Sequence, residues 1–251
     1  MKNYKIVIPN TLTIINLLSG CIGIVMVFEE KAWYAIILML IAALADVLDG
    51  LTAKLLNATS EFGKQLDSLS DLVSFGVLPS VFMYTLVKKT MFIEHSNIVY
   101  GNNILAAIIM GIPFLIAVFA ALRLARFNID TSQHTDFRGL PVPANALIVV
   151  SLWIFVNHPA NHLFAQSVYL LYIYIVVVAF LSFLMISNLP MLSLKFKNLN
   201  FKENRWRYFL ITGALALYLA GGISWLIYIM AYYILLSVVR HLVSFILPVR
   251  G

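Results

Sequence analysis

Four aspartates at regular spacing carry the chemistry of this sequence. Asp46 and Asp49 stand three residues apart, and Gly50, Ala53 and Lys54 follow them. Gly63, Asp67 and Asp71 then recur every fourth residue. Residues three or four apart share one face of a helix. The spacing therefore predicts two helices, each presenting a pair of carboxylates, joined by a short polar connection. Run antiparallel, such helices bring all four carboxylates to one point. Like charges gathered this closely must hold protons or cations, and a cluster of hard oxygen ligands suits Mg²⁺ or Mn²⁺. Gly50, Ala53 and Gly63 leave room for a ligand beside the backbone.

The helices that position these acids must be membrane helices. The chain has 251 residues, 62% hydrophobic and 11% charged, against about 25% charged in soluble domains. The expected fold is an all-α polytopic membrane protein, forming one integral membrane domain over residues 1–251. A span needs about 20 apolar residues. Eight candidates follow, at 9–28, 32–53, 66–87, 104–126, 142–157, 167–188, 207–222 and 224–247, the last two parted by a tight turn at Gly221-Gly222. On an insertion scale an Asp at a helix centre costs roughly 2.5–3.5 kcal/mol, so four deep, unpaired ones would cost about 10–14 kcal/mol. Intramembrane acids are thus functional by default. The apolar run after the basic N-terminus holds Pro9 and Asn10 and lacks a small-residue cleavage site, so it reads as a retained span. The one cysteine, Cys21, can form no intrachain disulfide.

Eight spans put both termini on one side. With that side inside, fourteen of the seventeen lysines and arginines lie inside, and Lys31, Lys88 and Lys89 outside. The positive-inside rule then places the aspartates at the cytoplasmic face of the cell's inner membrane. Nucleic acid is not an expected partner, and membrane lipids are.

Three further segments could bear on the chemistry. Pro9-Asn10-Thr11-Leu12-Thr13 opens the first span; it reads either as helix-start chemistry or as Asn10 and Thr13 facing a ligand, with Asn16 one turn on. Arg123 and Arg126, followed by Asn128, end the fourth span. Phe137-Arg138-Gly139-Leu140-Pro141-Val142-Pro143-Ala144-Asn145 opens the fifth. Arginine grips carboxylate and phosphate oxygens bidentately, although cytoplasmic helix-end arginines also serve topology and lipid headgroups. His158 and His162 are poor metal ligands with Pro159 between them. Residues 195–207 read as a basic loop that attracts anionic lipid, with Trp206 and Tyr208 as interface anchors and His241 as an interface residue.

The spacing D-x2-D-G-x2-A-K-x8-G-x3-D-x3-D, from Asp46 to Asp71, resembles the signature of the CDP-alcohol phosphatidyltransferases. It departs at one position, Lys54, where that family usually has arginine. The stretches R-L-A-R-F-N and F-R-G-L-P-V-P-A, within 123–145, resemble the bacterial and archaeal phosphatidylserine synthase branch, although Asn145 stands where a small residue is more usual there. The resemblance implies two divalent cations, Mg²⁺ or Mn²⁺, held by Asp46, Asp49, Asp67 and Asp71, with Asp71 also the general base. It implies CDP-diacylglycerol as donor, bound at Asn10, Thr13, Asp49, Gly50, Ala53, Lys54 and Gly63. It implies L-serine as acceptor, with Arg123, Arg126, Asn128, Arg138 and Gly139 near the acceptor or the lipid phosphate, and a homodimer. Two other readings compete. One is a sibling enzyme using glycerol 3-phosphate or an inositol phosphate. The other is a cation-coupled transporter, disfavoured by the absence of an internal repeat and by acids at the helix ends rather than the midplane. A structural protein without catalysis would leave the four acids unexplained.

Overall fold

The computed structural model describes residues 3–94, 103–129, 137–161, 164, 167, 169–192 and 200–246. Its helices are α1 (Asn3–Phe28), α2 (Ala32–Leu55), α3 (Glu61–Asp71), α4 (Leu78–Glu94), α5 (Asn103–Gly111), α6 (Leu115–Ile129), α7 (Val142–Asn157), α8 (Leu170–Ile186), α9 (Phe201–Gly221) and α10 (Leu226–Ile246). A π-helical segment, Leu72–Val77, joins α3 to α4, and a 3₁₀ turn, Ile112–Phe114, joins α5 to α6. The all-α membrane fold expected from sequence is present. Among the described residues, five helical stretches are long and apolar enough to span a bilayer, with Val142–Asn157 and Leu170–Ile186 as shorter apolar helices. The longest, Asn204–Val243, has 40 residues and is two helices. Gly222 (φ 61) breaks it, and Tyr232 donates its hydroxyl hydrogen to the Phe209 carbonyl at 2.9 Å. In a straight helix those residues would lie about 35 Å apart. The expected turn at Gly221-Gly222 is therefore where the chain doubles back.

Two boundaries differ from the sequence reading. The first helix begins at Asn3, with Pro9 inside it; proline is more frequent in membrane helices than in soluble ones. The third span is not one α-helix, because the π-helical segment follows Asp71 directly. There the hydroxyl of Ser74 donates to the Asn16 carbonyl at 2.9 Å. Gly76 packs so closely that a Cβ on it would lie 3.1 Å from the Ala120 methyl. Such local widening is a common feature of functional helices.

The chain divides into two compact units, residues 1–130 with 168–182, and residues 131–167 with 183–251. In the first unit the Glu61–Phe92 stretch is central, 67% buried against 33% for α1 and α2. The buried face of α2 runs Ala32, Ala35, Ile36, Met39, Ala42, Ala45, Asp49. Small residues at helical spacing let α1 approach closely, and Asp49 continues that packed stripe. Leu40, Leu44, Val47 and Leu51, on other faces of α2, are exposed, as lipid-facing positions should be.

In the second unit, a two-residue antiparallel pairing joins Phe137 to Met191 and Arg138 to Pro190. The Leu140 amide donates to the Leu184 carbonyl at 3.0 Å. A small core of Leu192, Leu210 and Leu236 takes Trp206 against it, so Trp206 packs inward as well as suiting an interface. The second half of the expected basic loop is helical from Phe201; residues 193–199, like His162, lie outside the described residues. The ring nitrogen Nδ1 of His158 accepts from the Ala160 amide at 3.3 Å, an ordinary loop contact.

Candidate active site

The connection between α2 and α3 sets the site. Asn57 adopts a left-handed conformation (φ 49), and the Ala58 amide reaches back to the Ala53 carbonyl at 2.8 Å. That is a Schellman-type helix end, where Asn substitutes for the usual glycine. Two residues on, Ser60 caps α3 by accepting from the Gly63 amide at 3.0 Å, with Glu61 in the first turn, where an acid suits the positive helix end. The chain thus reverses within residues 56–60 and sets the end of α2 beside the start of α3.

The reversal brings the acids together. One carboxylate oxygen each from Asp46, Asp49 and Asp67 lies within 4.8 Å of the other two. Asp46 and Asp67 are within hydrogen-bonding reach of each other. Asp71 is outside this trio but close enough to feel the charge of all three. Helix α1 holds two of the four in place. Thr13 donates to Asp49 Oδ2 at 2.6 Å, and the Asn16 amide donates to Asp71 Oδ1 at 3.0 Å. Hydrogen bonds to charged acceptors contribute about 1.5–3 kcal/mol each, so they fix carboxylate orientation as well as position.

This trio could hold a metal ion. Asp67 Oδ1 and Asn16 Oδ1 are buried without a hydrogen-bond partner. A bare buried acceptor costs about 1–3 kcal/mol, and a cation or its bound water would satisfy it. All-oxygen ligation by carboxylates fits a hard divalent ion.

Beside the acids lies a cavity of about 510 Å³. Of the residues expected to bind the donor, Asn10, Thr13, Asp49, Gly50, Ala53 and Gly63 all line it, as does Asp67. Lys54 is exposed and is not among the lining residues. A Cβ added to Gly50 would meet nothing within 4 Å. Neither packing nor backbone conformation therefore demands glycine there. A Cβ on Gly63 would sit 3.1 Å from Ser60 Oγ and 3.2 Å from Asn10 Oδ1, so a larger residue there would push one of these side chains by a few tenths of an ångström.

The arginine elements are placed less tightly. Arg123 is half-buried and Arg126 exposed on the last turns of α6. Asn128 spends its amide nitrogen on Ser68 Oγ at 2.8 Å. In the second unit, Arg138 is exposed, and the amide of Gly139 (φ 73) donates to the Leu189 carbonyl at 2.9 Å. A Cβ on Gly139 would collide with the Met185 carbonyl oxygen, so a backbone role accounts for this glycine. Lys64, which sequence reasoning counts only as a topological charge, lines the cavity. Its place one residue after the motif glycine was the available signal.

The chain belongs to the CDP-alcohol phosphatidyltransferase family, whose model matches residues 6–184. Among curated proteins it is similar to the CDP-diacylglycerol–serine O-phosphatidyltransferase of Helicobacter pylori, 31% identical over 93% of this chain and 90% of that protein. It is similar also to the enzyme of the same name from Bacillus subtilis, 34% identical over 58% of this chain and 74% of that one. An archaetidylserine synthase of Methanothermobacter thermautotrophicus is 35% identical over 59% of this chain and 58% of its own length.

Proposed function

We propose that this chain transfers the phosphatidyl group of CDP-diacylglycerol to L-serine, giving phosphatidylserine and CMP. The observation that carries the reading is the open cavity at Gly50, walled by Asp49 and Asp67, in a chain of this family. Serine stands in the names of all three relatives above. That favours serine over glycerol 3-phosphate or an inositol phosphate as acceptor.

The residues divide the work. Asn10, Gly50, Ala53 and Gly63 receive the cytidine diphosphate portion, Gly50 by leaving space. Asp46, Asp49, Asp67 and Asp71 would hold two divalent cations, Mg²⁺ or Mn²⁺. Such cations, when bound, neutralise charge on the diphosphate and on the departing CMP. Thr13 keeps Asp49 turned toward the acids. Asp71, oriented by Asn16, takes the proton of the serine hydroxyl as its oxygen bonds to the lipid phosphorus. The bond from that phosphorus to CMP breaks, and CMP leaves with the electron pair. Attack is direct, without a covalent lipid–enzyme intermediate. Arg123 and Arg126 face the acceptor carboxylate or the lipid phosphate. The chain works as one membrane domain and as a homodimer, in the cytoplasmic membrane, with the site and both termini on the cytoplasmic side.

The test is CMP release by purified protein in detergent with CDP-diacylglycerol. L-serine, glycerol 3-phosphate and inositol phosphate are compared, each with Mg²⁺ or Mn²⁺ and after chelation. Release that needs serine and metal is the expected result. Release with another acceptor only would discard serine, and no release from folded protein would discard the enzyme.

A further inference from the structure

The cavity wall carries an ammonium group outside the family motif. Lys64 follows Gly63 on α3 and lines the cavity. Its Nζ donates to the backbone carbonyl of Asn128 at 2.9 Å. Asn128 lies in the last turn of α6, where carbonyls lack intrahelical partners. A lysine there satisfies an orphan acceptor and complements the negative end of the helix. One turn along α3, Ser68 Oγ accepts from the Asn128 side-chain amide at 2.8 Å and donates to the Lys64 carbonyl at 3.2 Å. Lys64 and Ser68, four apart, share a helix face, and Gly63 and Asp67 lie one residue before each of them. One short helix thus presents the cavity wall and a metal-binding acid on one stripe. On the next stripe it grips the end of the helix that carries Arg123 and Arg126.

An ammonium has three donors. The Asn128 carbonyl takes one, and two remain for an anion in the cavity. The cation that the motif leads one to expect at the donor phosphates is Lys54, which lies outside the lining residues, whereas Lys64 is among them.

Building on the reading above, we propose that Lys64 contacts the diphosphate of the nucleotide donor while anchoring the end of the arginine helix. In the same arrangement, Asn128 and Ser68 are positioning residues that hold that helix and do not themselves bind serine. Donor occupancy and arginine placement are then linked through one side chain.

The test uses full-length protein with Mg²⁺ or Mn²⁺, and measures calorimetric CDP binding, CMP-release kinetics and melting. Lys64→Met is expected to weaken CDP binding about tenfold or more, the loss of a charge-assisted contact, and Lys64→Arg to recover most of it. Lys64→Gln, which keeps a donor for the Asn128 carbonyl, replaces the methionine variant if that does not fold. Asn128→Ala and Ser68→Ala should each raise the serine KM several-fold with CDP affinity within about twofold of wild type, and the double variant should be no worse than the poorer single one, as partners in one bond behave. Asn128→Asp, which can accept from Ser68, should restore the serine KM. CDP binding by Lys64→Met equal to wild type, or multiplicative effects of Asn128→Ala and Ser68→Ala, would overturn the clamp. Absence of CMP release by the wild-type protein with every acceptor, with CDP binding still dependent on Lys64, would overturn the proposed reaction and leave the anion contact standing.

Discussion

Gly50 and Gly139 sit in two motif-bearing segments for opposite reasons. A Cβ on Gly50, in a helical turn beside the carboxylates, would meet no atom within 4 Å. Gly139 has φ 73 and its Cβ would strike the Met185 carbonyl oxygen. In the proposed function the first leaves space for the donor; the second is glycine because the backbone turns where side chains do not fit. The same contrast runs through their surroundings. Around the carboxylates, Asp67 Oδ1 and, on α1, Asn16 Oδ1 are buried acceptors without partners. The Arg138-Gly139-Leu140 segment spends its amides on Leu189 and Leu184. The contrast stops at the turn itself: further along the same segment, both side-chain amide atoms of Asn145 are buried without a hydrogen-bond partner as well.

Substitutions can break or sharpen this contrast. The largest effect is expected from Asp71→Asn, which still accepts from Asn16 and so keeps the fold, but cannot take a proton; CMP release should fall about 100- to 10,000-fold, the usual value of a general base. Melting temperature unchanged with activity retained would remove Asp71 from that role. Next, Gly50→Ala should leave stability equal or improve it by up to about 1 kcal/mol, the helix preference for alanine, while weakening CDP binding at least about tenfold by filling the ligand's space. Gly139→Ala should do the reverse, destabilising by about 1–2 kcal/mol or more through its left-handed backbone while the folded fraction binds CDP normally. Paired melting and calorimetry on these two variants decide it, and matching behaviour would erase the distinction. Thr13→Val removes the bond to Asp49 and should lower kcat/KM about tenfold, within the range of a bond to a charged group, as read by CMP release at low donor concentration. The smallest effect is expected from the exposed Arg126: Arg126→Ala should raise the serine KM several-fold and leave that of CDP-diacylglycerol unchanged. The opposite split would move Arg126 to the donor.

What was legible in the sequence was local. Helical periodicity put Asp46 with Asp49, and Gly63 with Asp67 and Asp71, because a 3.6-residue repeat acts over one or two turns. Length and apolarity marked the spans, and Gly221-Gly222 marked the break in a run too long to cross once. The motif glycine ahead of Lys64 was visible too, but nothing local distinguishes a lysine on a cavity wall from one that only sets topology.

The remainder depended on which helices pack together. Thr13 meets Asp49 across 36 residues and Asn16 meets Asp71 across 55, and the sequence of α1 allowed helix-start chemistry equally well. In the π-helical segment after Asp71, Gly76 packs against Ala117 and Ala120 of another helix, a contact that local propensity does not reveal. By itself the sequence determined which acids share a face and which segments are apolar enough to lie in a membrane, since those follow from backbone geometry and solvent. The tertiary structure alone decided which partner orients each acid, which lysine reaches the cavity and which glycine is left facing open space, because those are contacts between segments far apart in the chain.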